Sequence, residues 1–216
     1  MKYKTILWDL DGTLLDTLDD LTDSVNAALA ASGFPTHSRD AVRSFVGNGM
    51  RKLIERAVPA GTGEAEQAAV REFFRVHYAA HCSDKTKPYA SIPELLAKLR
   101  EAGVKMAIVS NKPDFATKEL AAVYFGGLTD AAIGGRDGVP VKPAREMVEL
   151  ALAELGTDAA DAVYIGDSDV DVITAANAEM DGISVAWGFR GEDVLRAAGA
   201  KNIAHTPAEL QAMLLA

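Results

Sequence analysis

The second half of the chain alternates between short apolar runs and amphipathic segments, and this alternation restricts the fold more than any other feature. Strand patterns occur at 104–109, 131–133, 162–165 and 182–186, with helical patterns between them. Strands that alternate with helices form parallel sheets, because right-handed crossovers place the helices on both faces. We therefore predict an α/β fold with a Rossmann-like parallel sheet core.

The first part of the chain divides into one strand and a helical insertion. Thr5–Leu10 is an apolar run with the length of a buried central strand. From Leu18 to about Lys87, apolar residues recur only at helical spacing. We predict a core domain formed by 1–17 and 88–216, with an all-helical cap domain, 18–87, inserted into it.

Two local signals predict where core helices begin. Ser91 and Glu94 have the spacing of a capping box before an apolar helix. Lys142-Pro143 places proline where it is favoured, at the first position of a helix.

Composition and charge exclude several classes of partner. The 216 residues are 49% hydrophobic and 25% charged, with a formal net charge of −9. This charge argues against broad contact with nucleic acid or an anionic membrane. The one cysteine, Cys82, permits no intramolecular disulfide, and no apolar run reaches membrane-spanning length. Because MKYK leads directly into a strand, we expect no signal peptide and a soluble, cytoplasmic protein.

Polar side chains stand where the predicted strands end, and the carboxyl ends of parallel strands are where such sheets bind ligands. They comprise four carboxylates, a hydroxyl, an amide and a lysine: Asp9, Asp11, Ser110, Asn111, Lys142, Asp167 and Asp171. Gathering like charges is unfavourable unless a cation or a reaction requires them. The pattern therefore predicts an active site or a metal site at this edge, although Asp9 and Asp11 could also form a helix cap or an Asx turn.

Four stretches of the sequence resemble the ordered motifs of the haloacid dehalogenase superfamily. They are DLDGT at 9–13, Ser110-Asn111, Lys142-Pro143 and GDSDVD at 166–171. LLDTLDDL, FVGNGMRKLIERAV, VSNKP and SVAWGFRG further resemble its phosphoglycolate phosphatase branch, which carries a helical cap after the first motif. The resemblance implies an enzyme that hydrolyses phosphoric monoesters with Mg²⁺ as cofactor.

The resemblance also implies a role for each motif residue. Asp9 would be the nucleophile that forms an aspartyl phosphate, and Asp11 would be the general acid and base. Magnesium would bind the Asp9 carboxylate, the Asp11 backbone carbonyl and Asp167, with Asp171 holding or joining that shell. The phosphate group would be bound by residues of three motifs: Gly12, Thr13, Ser110, Asn111 and Lys142.

The cap turn Gly47-Asn48-Gly49 and the following Arg51 are the candidate specificity residues. A helix start beside a basic residue is a good anion receptor, so Asn48, Gly49 and Arg51 would bind a substrate carboxylate. The alternative is a plain turn between two helices with Arg51 in solvent. The resemblance makes 2-phosphoglycolate the leading substrate.

Other functions remain open at this stage. A β-phosphoglucomutase shares the core and cap type, and hydrolases of pyrophosphate, nucleotides or sugar phosphates are further alternatives. A non-catalytic phosphate-binding protein is another class, which loss of Asp9, Asp11 or Lys142 would have supported. We expect a small phosphorylated metabolite as partner and a monomer or homodimer. Glu179 and Arg145 depart from the family pattern, in which glycine and proline are usual.

Overall fold

The computed structural model describes residues 2–215. Its strands are β1 Thr5–Trp8, β2 Leu15–Asp16, β3 Lys87–Pro88, β4 Lys105–Pro113, β5 Ala131–Gly135, β6 Ala162–Gly166, β7 Asp181–Val185 and β8 Ile203–Ala204. Its α-helices are α1 Leu18–Ala31, α2 Arg39–Phe45, α3 Gly49–Ala57, α4 Glu64–His81, α5 Ile92–Glu101, α6 Asp114–Phe125, α7 Glu146–Leu155, α8 Asp169–Asn177, α9 Glu192–Ala197 and α10 Pro207–Leu215, and a 3₁₀ turn spans Ala159–Asp161.

Six parallel strands form the central sheet in the order β5-β4-β1-β6-β7-β8. Successive residues of β1 point to opposite faces, so that Ile6 and Trp8 join one apolar cluster and Leu7 joins the other. Helices α5, α6 and α10 pack in the first cluster, and α7 packs in the second. The predicted parallel sheet with helices on both faces is confirmed.

Helices α1–α4, which we call the cap, lie between two very short strands. β2 and β3 pair antiparallel, with Leu15 opposite Pro88 and Asp16 opposite Lys87. The chain therefore leaves the core and returns to it at adjacent points. The sequence-based boundaries of the cap domain at 18 and 87 stay a prediction. Within 2–215, none of the helices has the length and apolar character needed to cross a bilayer.

Helix α5 begins directly after Ser91, as predicted, but its predicted capping box and the predicted start of α7 are both wrong. Ser91 has a left-handed backbone (φ 64°) and its side chain makes no capping hydrogen bond, so the capping box does not form. Helix α7 begins at Glu146 and not at Pro143. The backbone N–H and C=O of Lys142 are both bonded to Asn111, which holds this segment outside the helix. Glu179 occupies the left-handed region (φ 54°) that glycine would enter without strain.

Candidate active site

Strand register brings the sequence-predicted residues together. Trp8 at the end of β1 lies beside Ile108 of β4 and Ile165 of β6. The next residue, Asp9, donates its backbone N–H to the Ile165 carbonyl at 2.8 Å. The residues that follow Ile108 and Ile165 in their own strands therefore flank Asp9 on either side.

Lys142 is the centre of a buried charge cluster. Its Nζ donates to Asp9 Oδ1 at 2.7 Å, to Asp171 Oδ1 at 2.8 Å and to the Tyr164 hydroxyl at 2.9 Å. Burial would lower the pKa of Lys142, but the carboxylates of Asp171 and Asp9 outweigh it and raise that pKa well above its usual value. Lys142 therefore stays an ammonium group that partly neutralises both acids.

Asp171 is fixed by the first turn of α8. Its Oδ2 accepts from the backbone N–H of Ser168 at 3.1 Å and from the Ser168 hydroxyl at 2.6 Å. The Ser168 hydroxyl in turn accepts from the Asp171 backbone N–H, which completes a capping box. The other carboxylate oxygen, Asp171 Oδ1, faces Lys142. Asp171 therefore orients the lysine in addition to being a candidate ligand for a cation.

Asp167 is held by donors from two separate segments. Thr13 Oγ1 donates to its Oδ1 at 3.0 Å, and the Phe189 backbone N–H donates to its Oδ2 at 2.6 Å. A Cβ atom added to Gly12 or Gly188 would lie 2.4 Å or 2.3 Å from an atom of the Asp167 side chain. The Asp167 side chain therefore fits between Gly12 and Gly188 only because neither residue has a side chain of its own. We call these two residues the glycine cradle.

Three buried carboxylates converge without enough positive charge to balance them. One oxygen from each of Asp9, Asp167 and Asp171 lies within 4.8 Å of the others. Burial, with the Asp171 charge second, raises the pKa of Asp9 well above its usual value. The same two causes raise the pKa of Asp167 to about 7. An all-oxygen donor set with unbalanced charge suits a hard divalent cation.

Asp11 lies on the cap side of this cluster. Its Oδ1 accepts from the Thr17 hydroxyl at 2.7 Å and lies 2.9 Å from Lys112 Nζ. Thr17 precedes α1, so the carboxylate is anchored at the point where the cap begins. Asp11 is half-buried and lines the cleft between core and cap.

The remaining predicted phosphate ligands take different positions. Ser110 lines the cleft, and its hydroxyl accepts from the Lys112 backbone N–H at 3.3 Å. The side-chain amide of Asn111 has a structural role, because it is hydrogen-bonded to the Lys142 backbone and to the Gly47 carbonyl of the cap. The Thr13 hydroxyl donates to Asp167, and Gly12 packs against the Asp167 side chain.

The structure brings only one of the three predicted cap residues to the cleft. Gly49 lines it, but the Asn48 side chain accepts from Arg56 at 2.7 Å. Arg51 is exposed and is not among the residues that line the cleft. Helix α3 instead turns its apolar residues Met50 and Leu53 toward the cleft, and the specificity role of Asn48 and Arg51 stays a prediction.

Sequence reasoning missed several residues of the cleft, above all Lys112 and Tyr78. β4 was expected to end at 109 but continues to Pro113, with a register irregularity after Val109 that brings Lys112 into the cleft. Tyr78 matched the apolar face of α4, and its hydroxyl gave no separate signal. Two clues pointed to Lys112: it lies within three residues of the predicted strand end and belongs to the VSNKP stretch that resembles the family.

Known proteins resemble this chain over most of its length. The family model for haloacid dehalogenase-like hydrolases matches residues 6–185. The chain is 38% identical to a phosphoglycolate phosphatase from Caulobacter vibrioides, over 88% of this chain and 82% of the relative. It is 32% identical to an N-acetylmuramic acid 6-phosphate phosphatase from Pseudomonas aeruginosa, over 97% and 94%.

The fold is also that of a solved structure. A Lactobacillus delbrueckii subsp. bulgaricus protein, 36% identical in sequence, matches with a TM-score of 0.93 and 99% coverage of both chains. The family match covers most of β1, the cap helices, Asp9 and Asp167 at strand ends, and Lys142 between β5 and α7. The chain belongs to the haloacid dehalogenase-like hydrolases.

Proposed function

We propose that this protein is a magnesium-dependent phosphatase of small phosphate monoesters, with 2-phosphoglycolate as the leading substrate. The observation that carries the proposal is the buried group of three carboxylates and Lys142 at the carboxyl ends of the strands. The reaction class is supported by relatives that are named phosphatases and align over most of the chain.

Asp9 would attack the phosphorus atom with one carboxylate oxygen. A bond from that oxygen to phosphorus forms as the bond from phosphorus to the leaving oxygen breaks, which gives an aspartyl phosphate. Asp11 would give its proton to the departing alkoxide and then take a proton from the water that attacks the intermediate. Hydrolysis returns Asp9 as a carboxylate and releases inorganic phosphate.

The other residues would position and neutralise charge, which is most of what phosphoryl transfer requires. Lys142 holds Asp9 and places a positive charge beside the transferred group. Ser110, which lines the cleft, would donate to a phosphate oxygen.

Magnesium would be held by the carboxylates of Asp9 and Asp167 and by the Asp11 backbone carbonyl. When bound, it would neutralise the charge of the carboxylates and of the phosphoryl oxygens. Asp171 would keep the site in shape through Ser168 and Lys142.

The residues that the cap contributes to the cleft favour a small leaving group. Its contribution to the cleft is mostly apolar, from Leu21, Val46, Met50, Leu53 and Phe74. The Gly47 carbonyl accepts from Asn111 of the core at 3.0 Å, so cap and core are in direct contact above the carboxylates. This arrangement would exclude bulk water and would accommodate a two-carbon acid more easily than a sugar.

A second substrate is favoured by one specific observation. The relative that acts on N-acetylmuramic acid 6-phosphate aligns over more of this chain than the Caulobacter vibrioides enzyme does. That substrate also carries a carboxylate, but its leaving group is far larger. Transfer to a sugar, as in a β-phosphoglucomutase, would use the same core residues.

The first experiment is magnesium-dependent phosphate release from a panel of substrates. The panel holds 2-phosphoglycolate, N-acetylmuramic acid 6-phosphate, β-glucose 1-phosphate, pyrophosphate and a nucleoside monophosphate. Preference for 2-phosphoglycolate supports the proposal, and formation of glucose 6-phosphate without phosphate release would indicate the mutase. No release from any substrate with magnesium present would overturn the phosphatase assignment.

Asp9→Asn serves as the test of the nucleophile. The amide cannot form the acyl phosphate, so we expect kcat to fall by a factor on the order of 10³ or more. Asp158→Asn is the matched control, because Asp158 is exposed and precedes β6, at the opposite end of that strand from Asp167. Full turnover by folded Asp9→Asn would show that Asp9 is not the nucleophile and would overturn the proposed mechanism.

A further inference from the structure

Lys112 is a second buried lysine of the cleft, and the reaction proposed above gives it no task. Its side chain is only 1% exposed, and its Nζ lies 2.9 Å from Asp11 Oδ1. It also donates to the Tyr78 hydroxyl at 2.5 Å and lies 4.5 Å from the centre of that ring. A buried lysine is costly, so its position on the cleft wall calls for a reason beyond packing.

The pairing with Tyr78 leaves hydrogen-bond donors unused. An ammonium group has three protons, and among the described residues Lys112 donates one to Tyr78 and forms an ion pair with Asp11. The Tyr78 hydroxyl accepts from Lys112 and has no acceptor for its own proton in the part of the chain that the structure describes. One N–H and one O–H are therefore free, and both residues line the cleft.

The surroundings determine what these donors can bind. Lys112 comes from β4 of the core and Tyr78 from α4 of the cap, so the pair forms only when core and cap are in contact. It stands beside Asp11, the residue proposed to protonate the leaving group, whereas Lys142 stands beside Asp9, the proposed nucleophile. The other side chains that the cap presents to the cleft are apolar, so none of them competes with Lys112 and Tyr78 as a hydrogen-bond donor.

We infer that Lys112 and Tyr78 together form the receptor for a carboxylate on the leaving group, and so determine specificity for a phosphorylated short-chain acid. The inference rests on the proposed phosphatase function and deepens it. The two oxygens of a carboxylate match the two free donors, and a charge-assisted hydrogen bond in a site closed to water is stronger than a neutral one. Arg51, which is exposed, has no part in this receptor.

The test compares two substrates that differ only at the carboxylate. 2-Phosphoglycolate and 2-hydroxyethyl phosphate share the phosphate and the two-carbon chain, but the second is neutral at the far end. The ratio of their kcat/KM values, with magnesium present, isolates recognition of the carboxylate. Any effect of Lys112 on Asp11 applies to both substrates and cancels in the ratio.

Lys112→Met keeps an unbranched side chain and removes the charge. We expect the ratio to fall roughly 10- to 100-fold, mainly through a higher KM for 2-phosphoglycolate. Tyr78→Phe removes one hydroxyl, leaves the Lys112–Asp11 pair in place, and should lower the ratio by about 3- to 10-fold. Because Tyr78→Phe preserves the ring packing, it keeps the test valid if Lys112→Met fails to fold.

Lys52→Met is the matched control, because Lys52 is exposed on α3 and, within the described residues 2–215, its side chain pairs with Glu55 alone. It should leave the ratio unchanged. If folded Lys112→Met and Tyr78→Phe lose turnover of both substrates equally, Lys112 only positions Asp11 and the inference is overturned. A wild-type ratio near one also overturns it but leaves the phosphatase standing, whereas no release from either substrate means that the proposed function itself fails.

Discussion

At the scale of single residues, the site depends on close approaches that leave no room for a side chain. A Cβ atom on Gly188 would lie 2.3 Å from Asp167 Cβ and 2.4 Å from the Gly12 carbonyl oxygen. Contacts this short force the neighbours to move. The position of Asp167 therefore depends on a glycine that lies 21 residues later in the chain and carries no chemistry of its own.

Gly188→Ala tests this dependence. Since overpacking shifts Asp167 away from the other carboxylates, we expect a loss of about 1–3 kcal/mol in the free energy of unfolding and weaker magnesium binding. Chemical denaturation and calorimetric titration with magnesium measure the two effects.

The matched control for this variant is Gly191→Ala, three residues further along. A Cβ there would meet no atom within 4 Å. We expect a change within about 0.5 kcal/mol and unaltered magnesium binding. Equal losses of stability and of magnesium affinity in the two variants would contradict the inference that Gly188 fixes the position of Asp167.

At the scale of elements, the segment after β7 connects the buried carboxylate cluster to the cap. Phe189 donates its backbone N–H to Asp167 and offers its carbonyl to Arg43 Nε at 2.7 Å. Arg190 donates to the carbonyl of Arg43 at 2.8 Å and to that of Val46 at 2.5 Å. The same few residues thus position a carboxylate and hold the end of α2 against the core.

Arg190→Ala should loosen this connection, because two backbone carbonyls of the cap lose their donor. We expect faster hydrogen exchange of the amides around 43–49 and a higher KM, with amides of the central sheet unchanged. Arg196→Ala is the control, since Arg196 is exposed and, among residues 2–215, its side chain pairs with Glu192 of the same helix α9. Unaltered exchange in the cap of Arg190→Ala would show that apolar packing alone holds α2.

At the scale of the whole molecule, the protein stores an unfavourable charge arrangement that a cation would relieve. The pKa of Asp9 and that of Asp167 are both raised, because burial and the Asp171 charge disfavour their ionised forms. A ligand that binds only the folded state stabilises it according to its concentration relative to Kd.

Magnesium should therefore raise the melting temperature of metal-free protein. At 100 times Kd the expected gain is about 2.7 kcal/mol, or roughly 5–10 °C for a chain of this size. Asp167→Asn should abolish the shift, whereas exposed Asp158→Asn should keep it. A shift that survives in Asp167→Asn would place the cation elsewhere.

The fold and most of the core site could be predicted because both follow from short-range patterns. Apolar runs of strand length between helical segments specify a parallel sheet, and the carboxyl ends of its strands must share one edge. Asp9, Ser110 and Asp167 could then be assigned to that edge without any coordinates. Lys142 was placed near the same edge as well, at the start of a predicted helix.

The cap side of the site was decided by the tertiary structure alone. Helical periodicity predicted α3, but not that it would turn Met50 to the cleft and leave Arg51 exposed. Likewise, a register irregularity at the end of β4 brings Lys112 to Tyr78, 34 residues away. Local sequence determines which segments become helices and strands. Which face of a helix or strand points toward the cleft depends on contacts between residues distant in the chain, and no local sequence pattern records those contacts.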